Sequence, residues 1–131
     1  MAKEKILMVL VNENGASKVE VEPSLDEYYR LLGCDTIDMV DRRLGYNRSH
    51  KDFTIICDDE GLMCDEPRIS AIDNLGKVML VGNLLVTQCN GEGENVGLTD
   101  KDADFVIGKV LKMPTRVHPE GLWMLTQCEY C

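Results

Sequence analysis

Three groups of residues in this chain could do chemistry. The first is a run of cations: Arg42 and Arg43, followed by Arg48, His50 and Lys51 in "DRRLGYNRSHK". They concentrate positive charge in a chain of formal net charge -9, and an arginine presents a planar fork that fits phosphate or carboxylate. With Tyr28 or Tyr29 stacking on a base, Arg42, Arg43 and Arg48 would make a binding site for an anionic metabolite or nucleotide signal. The same arginines equally suit pairs between strand-end charges and neighbouring acids. The tyrosines equally suit core packing with one ring edge exposed. Both readings stand at this point.

The second group is the acidic triplet Asp58, Asp59 and Glu60, ahead of Gly61. Clustered carboxylates hold hard divalent cations, and a metal there would serve hydrolysis. A tight turn needs the same residues, and the ligand alternation of a calcium loop is missing. The third group is the six cysteines, of which Cys128 and Cys131 form a C-x-x-C. Zinc sites usually join two close pairs, Cys57 and Cys64 have the wrong spacing for one, and His50 and His118 are isolated in sequence. Neither histidine belongs to a serine, histidine and acid signature. The loop "CNGEGENVG" interleaves its glycines with Glu92 and Glu94, and no phosphate-binding lysine follows, so it reads as a surface loop. These observations lead to no expected catalytic residue, no bound metal and no cofactor.

The elements that must position these groups follow from periodicity. Ile6 to Val11 is a continuous apolar run with the length of a buried strand. Asn14-Gly15 then marks a turn, and Lys18 to Glu22 alternates polar with apolar, so a hairpin with a half-exposed second strand is expected. Ser24 opens a helix with Asp26 and Glu27 in its first turn, Leu25, Tyr28, Tyr29 and Leu32 on one face, and Gly33 as the stop. Asp35 to Leu44 alternates as a strand, with Ile37 and Met39 on one face and Asp38 and Val40 on the other.

Phe53 to Cys57 is β-branched, aromatic or small and apolar, which suits a largely buried strand. Asp58 to Gly61 then turns it into a hairpin continued by Leu62 and Met63. Val78 to Val81 and Leu84 to Val86 are apolar without alternation, which predicts one central strand with a bulge or a close backbone approach at Gly82. Thr99 opens a second helix, with Asp102 where a capping box carries Glu or Gln, and Ala103, Val106, Ile107 and Val110 as its buried stripe. Trp123, Met124 and Leu125 form an apolar patch near the end.

Hydrophobic residues make up 44% and charged residues 28% of the 131 residues, which argues for one globular domain over a disordered chain. The reading is α+β: a mostly antiparallel sheet of about five strands with two principal helices packed on one face. Residues 1–111 form the domain and 112–131 a tail that docks on it or on a partner chain. The acidity disfavours direct contact with nucleic acid phosphates, and suits solubility, a surface that imitates DNA, or a basic partner. No stretch has the length of a membrane span, and Met1 to Lys5 leads into a run too short for a signal peptide core. A cytoplasmic chain with reduced thiols is therefore expected.

The order of an apolar "IICDDEG" strand, a proline-led segment, "VGNLLV" and a "LTDKD" helix start resembles a family of small domains common in bacteriophages and mobile elements, the domain of unknown function numbered 3846. The resemblance covers Lys5 to Leu111. It implies fold and context, a protein made in a bacterial host cytosol, and brings no catalytic residues. The expectation is a non-enzymatic binding protein acting on a host protein or defence component. The alternative is a binder or sponge for a small anionic ligand at Arg42, Arg43, Arg48, Tyr28 and Tyr29. A metal-dependent hydrolase stands behind both, and self-association through the apolar tail is a further expectation.

Overall fold

A computed structural model describes residues 5–34, 36–45, 51–58, 69–73, 75–89, 96–116 and 118–130. The strands are β1 (Ile6–Asn12), β2 (Gly15–Val21), β3 (Ile37–Leu44), β4 (Lys51–Asp58), β5 (Ile69–Ile72), β6 (Val78–Val81), β7 (Leu84–Thr87), β8 (Val110–Met113), β9 (Leu122–Leu125) and β10 (Cys128–Tyr130). The helices are α1 (Leu25–Leu32) and α2 (Asp100–Gly108). The fold is α+β, as expected, but its sheet content differs from a single sheet of about five strands. A six-stranded sheet runs in the order β10-β3-β4-β7-β1-β2, and a four-stranded sheet in the order β6-β5-β9-β8. The first is antiparallel throughout, and the second contains one parallel pair, β5 with β9.

The helices do not share a face. Val9, Val11, Phe53, Ile55, Leu84 and Val86 pack in one core cluster with Ala103 and Val106 of α2 and with Ala71 and Leu125 of the smaller sheet. Met8, Ile56 and Leu85, the intervening residues of the same strands, pack with Tyr28 and Leu32 of α1 in a second cluster. Side chains alternate across a strand, so the two clusters occupy opposite faces of the six-stranded sheet. The physical reason lies in β1, β4 and β7, which are apolar on both faces and therefore need cover on both.

Local signals set the element ends. The Ser24 hydroxyl accepts the Glu27 N–H at 3.4 Å, Glu27 pairs with Arg30, and Gly33 closes α1 at φ 68° with its N–H on the Tyr29 carbonyl. The Arg30 hydrogen bond holds the Glu27 carboxyl below its ordinary range. Leu25 shares the stripe of Tyr28 and Leu32 but is 55% exposed, because at the first turn of the helix it lies outside the core cluster that holds the other two. Thr99 caps α2 by accepting the Asp102 N–H at 3.1 Å. That helix stops at Gly108, so Val110 belongs to β8 and not to the helical stripe.

Two further readings change. Asn12 faces Gly15 across the first hairpin, which places the turn at Glu13 and Asn14, one residue earlier than the Asn-Gly pair suggests. The apolar run Val78 to Val86 is not one bulged strand. Gly82, at φ 79°, separates β6 from β7, and the two belong to different sheets. Asn83 at that break donates its side-chain amide to the Leu32 carbonyl at 3.3 Å, tying it to the end of α1. Residues beyond Lys112 take part in both sheets, β9 between β5 and β8 and β10 beside β3. Asp59 to Met63, Arg48, His50 and most of the glycine-rich loop lie outside the described residues.

Where the chain returns after that loop, backbone crosses backbone closely. The Leu98 N–H donates to the Leu7 carbonyl at 2.7 Å, and Gly97 has φ 77°. A Cβ there would lie 2.8 Å from Ile6 Cβ and 3.1 Å from the Leu7 nitrogen. Gly97→Ala combines a left-handed backbone with this overlap, and should lower the free energy of unfolding in urea by about 2–3 kcal/mol.

Candidate functional site

Arg42 and Arg43 are consecutive residues of β3, and consecutive residues of a strand point to opposite faces. Arg42 lies opposite Phe53 in the β3–β4 register, on the side of the smaller sheet, and its Nη1 donates to the Asp41 carbonyl at 2.8 Å. Arg43 lies opposite Asp52 on the α1 side, with its Nε 3.4 Å from Asp52 Oδ1. The structure thus does not bring the two guanidinium groups into one fork. Arg48 lies outside the described residues. Tyr28 is 2% exposed within the α1 cluster, while Tyr29 is half-buried and its carbonyl receives the N–H groups of Gly33 and Cys34. Cys128 is buried in the main core cluster, and Cys131 lies outside the described residues. Among the described residues, no three His, Cys, Asp or Glu side chains gather as metal ligands, and no helix is long and apolar enough to cross a membrane.

Two features escaped sequence reasoning. The first is a polar row on the α1 side of the main sheet, Asp41, Thr54 and Thr87 on neighbouring strands. The Thr54 hydroxyl donates to Asp41 Oδ1 at 3.0 Å. Thr87 is fully buried, and its hydroxyl has no hydrogen-bond partner among the described residues. An isolated buried hydroxyl carries a desolvation cost without return. The register that aligns these residues is long-range, so no local pattern could have revealed the row.

The second feature is an apolar groove of about 230 Å³ lined by Asn14, Gly15, Ala16, Ile107, Val110 and Trp123. Gly15 lines it at a φ of 117°, and a Cβ there would meet the Trp123 ring at an ordinary contact distance of 3.5 Å. Lys112, opposite Trp123 in the β8–β9 register, carries its Nζ 6.0 Å from the ring centroid. The nearby turn at His118 and Glu120 adds a polar contact at 3.3 Å. A backbone hydrogen bond and then His118 hold the Glu120 carboxyl below its ordinary range. A cavity of this size falls short of the roughly 300–1,000 Å³ typical of drug-sized ligands. It suits a single inserted side chain better than a nucleotide.

A family model for a domain of unknown function (DUF3846) matches residues 5–113. The chain belongs to this family. The match ends at Met113, the last residue of β8, so Trp123 and the two final strands lie beyond it. The wall of the groove formed by Asn14, Gly15, Ala16, Ile107 and Val110 lies within the family domain. No curated protein and no solved structure is significantly similar to the chain.

The polar row gives a contrast between two threonines. Thr87→Val removes a hydroxyl that has no hydrogen-bond partner among the described residues, and should leave stability unchanged or raise it by up to about 1 kcal/mol. Thr54→Val removes the bond to Asp41 and should lower stability by about 1 kcal/mol. Parallel thermal and denaturant unfolding of the two variants would read the difference.

Proposed function

We propose that this chain is a non-enzymatic binding protein whose target is another protein, in a phage setting a host protein or defence component. The observation that carries this reading is the groove at Trp123. It is apolar and side-chain-sized, with a tryptophan in its wall, and tryptophan is among the residues that dominate protein interfaces. The net charge of -9 favours a basic partner and speeds its approach. The anionic-ligand reading draws less support, because Arg42 and Arg43 emerge on opposite faces, Arg43 meets Asp52, and Tyr28 lies in the core.

The single tryptophan makes the groove observable. A protein captured from bacterial lysate by the wild-type chain should shift Trp123 emission to shorter wavelength when titrated back in purified form. Trp123→Ala, with its fold checked by circular dichroism, should bind that protein at least about tenfold more weakly. Equal binding by both proteins would remove the groove from the interface. A nucleotide that raises the melting temperature of the wild type but not of Arg43→Ala would instead support the ligand reading.

A further inference from the structure

β2 forms one edge of the six-stranded sheet and is paired with β1 along all 7 of its residues without a register shift. Its outward backbone groups can be assigned. The Leu7 carbonyl accepts the Leu98 N–H, and the Val96 N–H donates to the Gln88 carbonyl, so this segment lies on the β7 side of β1. Leu7 therefore turns its backbone away from β2. Opposed residues of an antiparallel pair alternate between exchanging both hydrogen bonds and turning both pairs of groups away. Glu20, opposite Leu7, and Lys18, opposite Val9, thus direct their N–H and C=O outward. Among the described residues, no strand pairs with them there.

Exposed edges are commonly blunted by a proline, a bulge or an isolated lysine. β2 contains no proline and no bulge. Its lysine is drawn back over the sheet, with Lys18 Nζ 2.9 Å from Asp104 Oδ1 and 3.6 Å from Asp100 Oδ1 on α2. Among the described residues, the edge is therefore open at Lys18 and Glu20.

We propose that this edge pairs with β2 of a second copy of the chain, antiparallel, about a two-fold axis at Val19. The sequence Ser17-Lys18-Val19-Glu20-Val21 is complementary to itself about that residue. Lys18 lies opposite the partner subunit's Glu20, the two exchange the outward N–H and C=O groups, and the dyad generates the same pair again. Lys18 keeps its contact with Asp104, and the remaining donors of its ammonium are left for the partner subunit's Glu20 on the same face of the new ladder, an opposite-charge arrangement that favours pairing. On the other face, Val19 meets the partner subunit's Val19 and Ser17 faces the partner subunit's Val21, which extends the apolar layer under α1 where Val19 and Val21 already pack.

The register is selective. An axis at Lys18 or at Glu20 would set like charges opposite each other, and one at Ser17 would set Lys18 against alanine. A second copy supplies the matching charges at the required spacing in both directions. The surface is separate from the centre of the Trp123 groove, which touches β2 at Gly15 and Ala16.

Sedimentation equilibrium of the full chain tests this. The wild type should show a reversible monomer–dimer equilibrium. Glu20→Lys places lysine against the partner subunit's Lys18 at both ends, and should raise the dimer Kd by about tenfold or more. Glu20→Pro removes an N–H that points outward, a position where an edge strand tolerates proline, and should give a folded monomer. If that variant fails to fold, Glu20→Lys decides, since it leaves the backbone unchanged.

Val19→Cys should form a disulfide between copies on mild oxidation. The opposed Cα atoms of a non-hydrogen-bonded pair lie about 4.5 Å apart, within disulfide range. Mass spectrometry of linked peptides would locate the bond, and Ser17→Cys should not form its counterpart. A wild-type chain that stays monomeric, a dimer indifferent to both Glu20 variants, or β2 found paired only with a strand of another protein would each overturn the proposal.

Discussion

Val9, Val11, Ile55 and Val86 point to one side of the six-stranded sheet, Met8, Ile56 and Leu85 point to the other, and all are fully buried. Strands β1, β4 and β7, adjacent in the sheet, thus require apolar cover above and below. The rest of the molecule meets that requirement. On one side α1 lies across the sheet, capped by Ser24 and Gly33 and tied at its end by Asn83. On the other side, α2 and the smaller sheet close the larger cluster. Each buried Val, Leu, Ile or Met contributes about 1.5–3 kcal/mol, so this layered burial outweighs any polar contact described.

The charged groups work at the rim. Lys18 with Asp100 and Asp104, Glu27 with Arg30, and Arg43 with Asp52 are all solvent-accessible pairs. Such pairs typically contribute about 0–1 kcal/mol. Their effect is on placement. The hydrogen bond to Asp104 raises the Lys18 pKa and fixes the direction of that side chain, which leaves the outer backbone of β2 uncovered. Arg43 held by Asp52 is a less available anion receptor than its sequence context implies.

The proposed recognition rests on two surfaces, a backbone edge and an apolar groove. The groove exists because three distant parts of the chain meet: the β1–β2 turn, the junction of α2 with β8, and β9. Gly15 gives the end of that turn, beside the indole ring, a backbone angle that other residues resist. The edge exists because the sheet ends at β2.

Much of the local structure was legible in the sequence. The apolar runs at Ile6, Phe53 and Leu84 are strands, Ser24 and Thr99 start the helices, and Gly33 stops α1, because propensity, capping and side-chain periodicity act over a few residues. The family was legible too, through the order of its turns and strands. Tertiary structure alone decided which strands became neighbours. Val78 to Val86 reads as one strand, yet its halves enter different sheets at Gly82, since pairing depends on partners far along the chain. The arginines illustrate the same limit. Arg42 and Arg43 are adjacent in sequence, but the pleat separates their faces, while Gly15 and Trp123 meet across more than a hundred residues of chain. Sequence fixes what each residue can do locally, and long-range burial fixes which residues do it together.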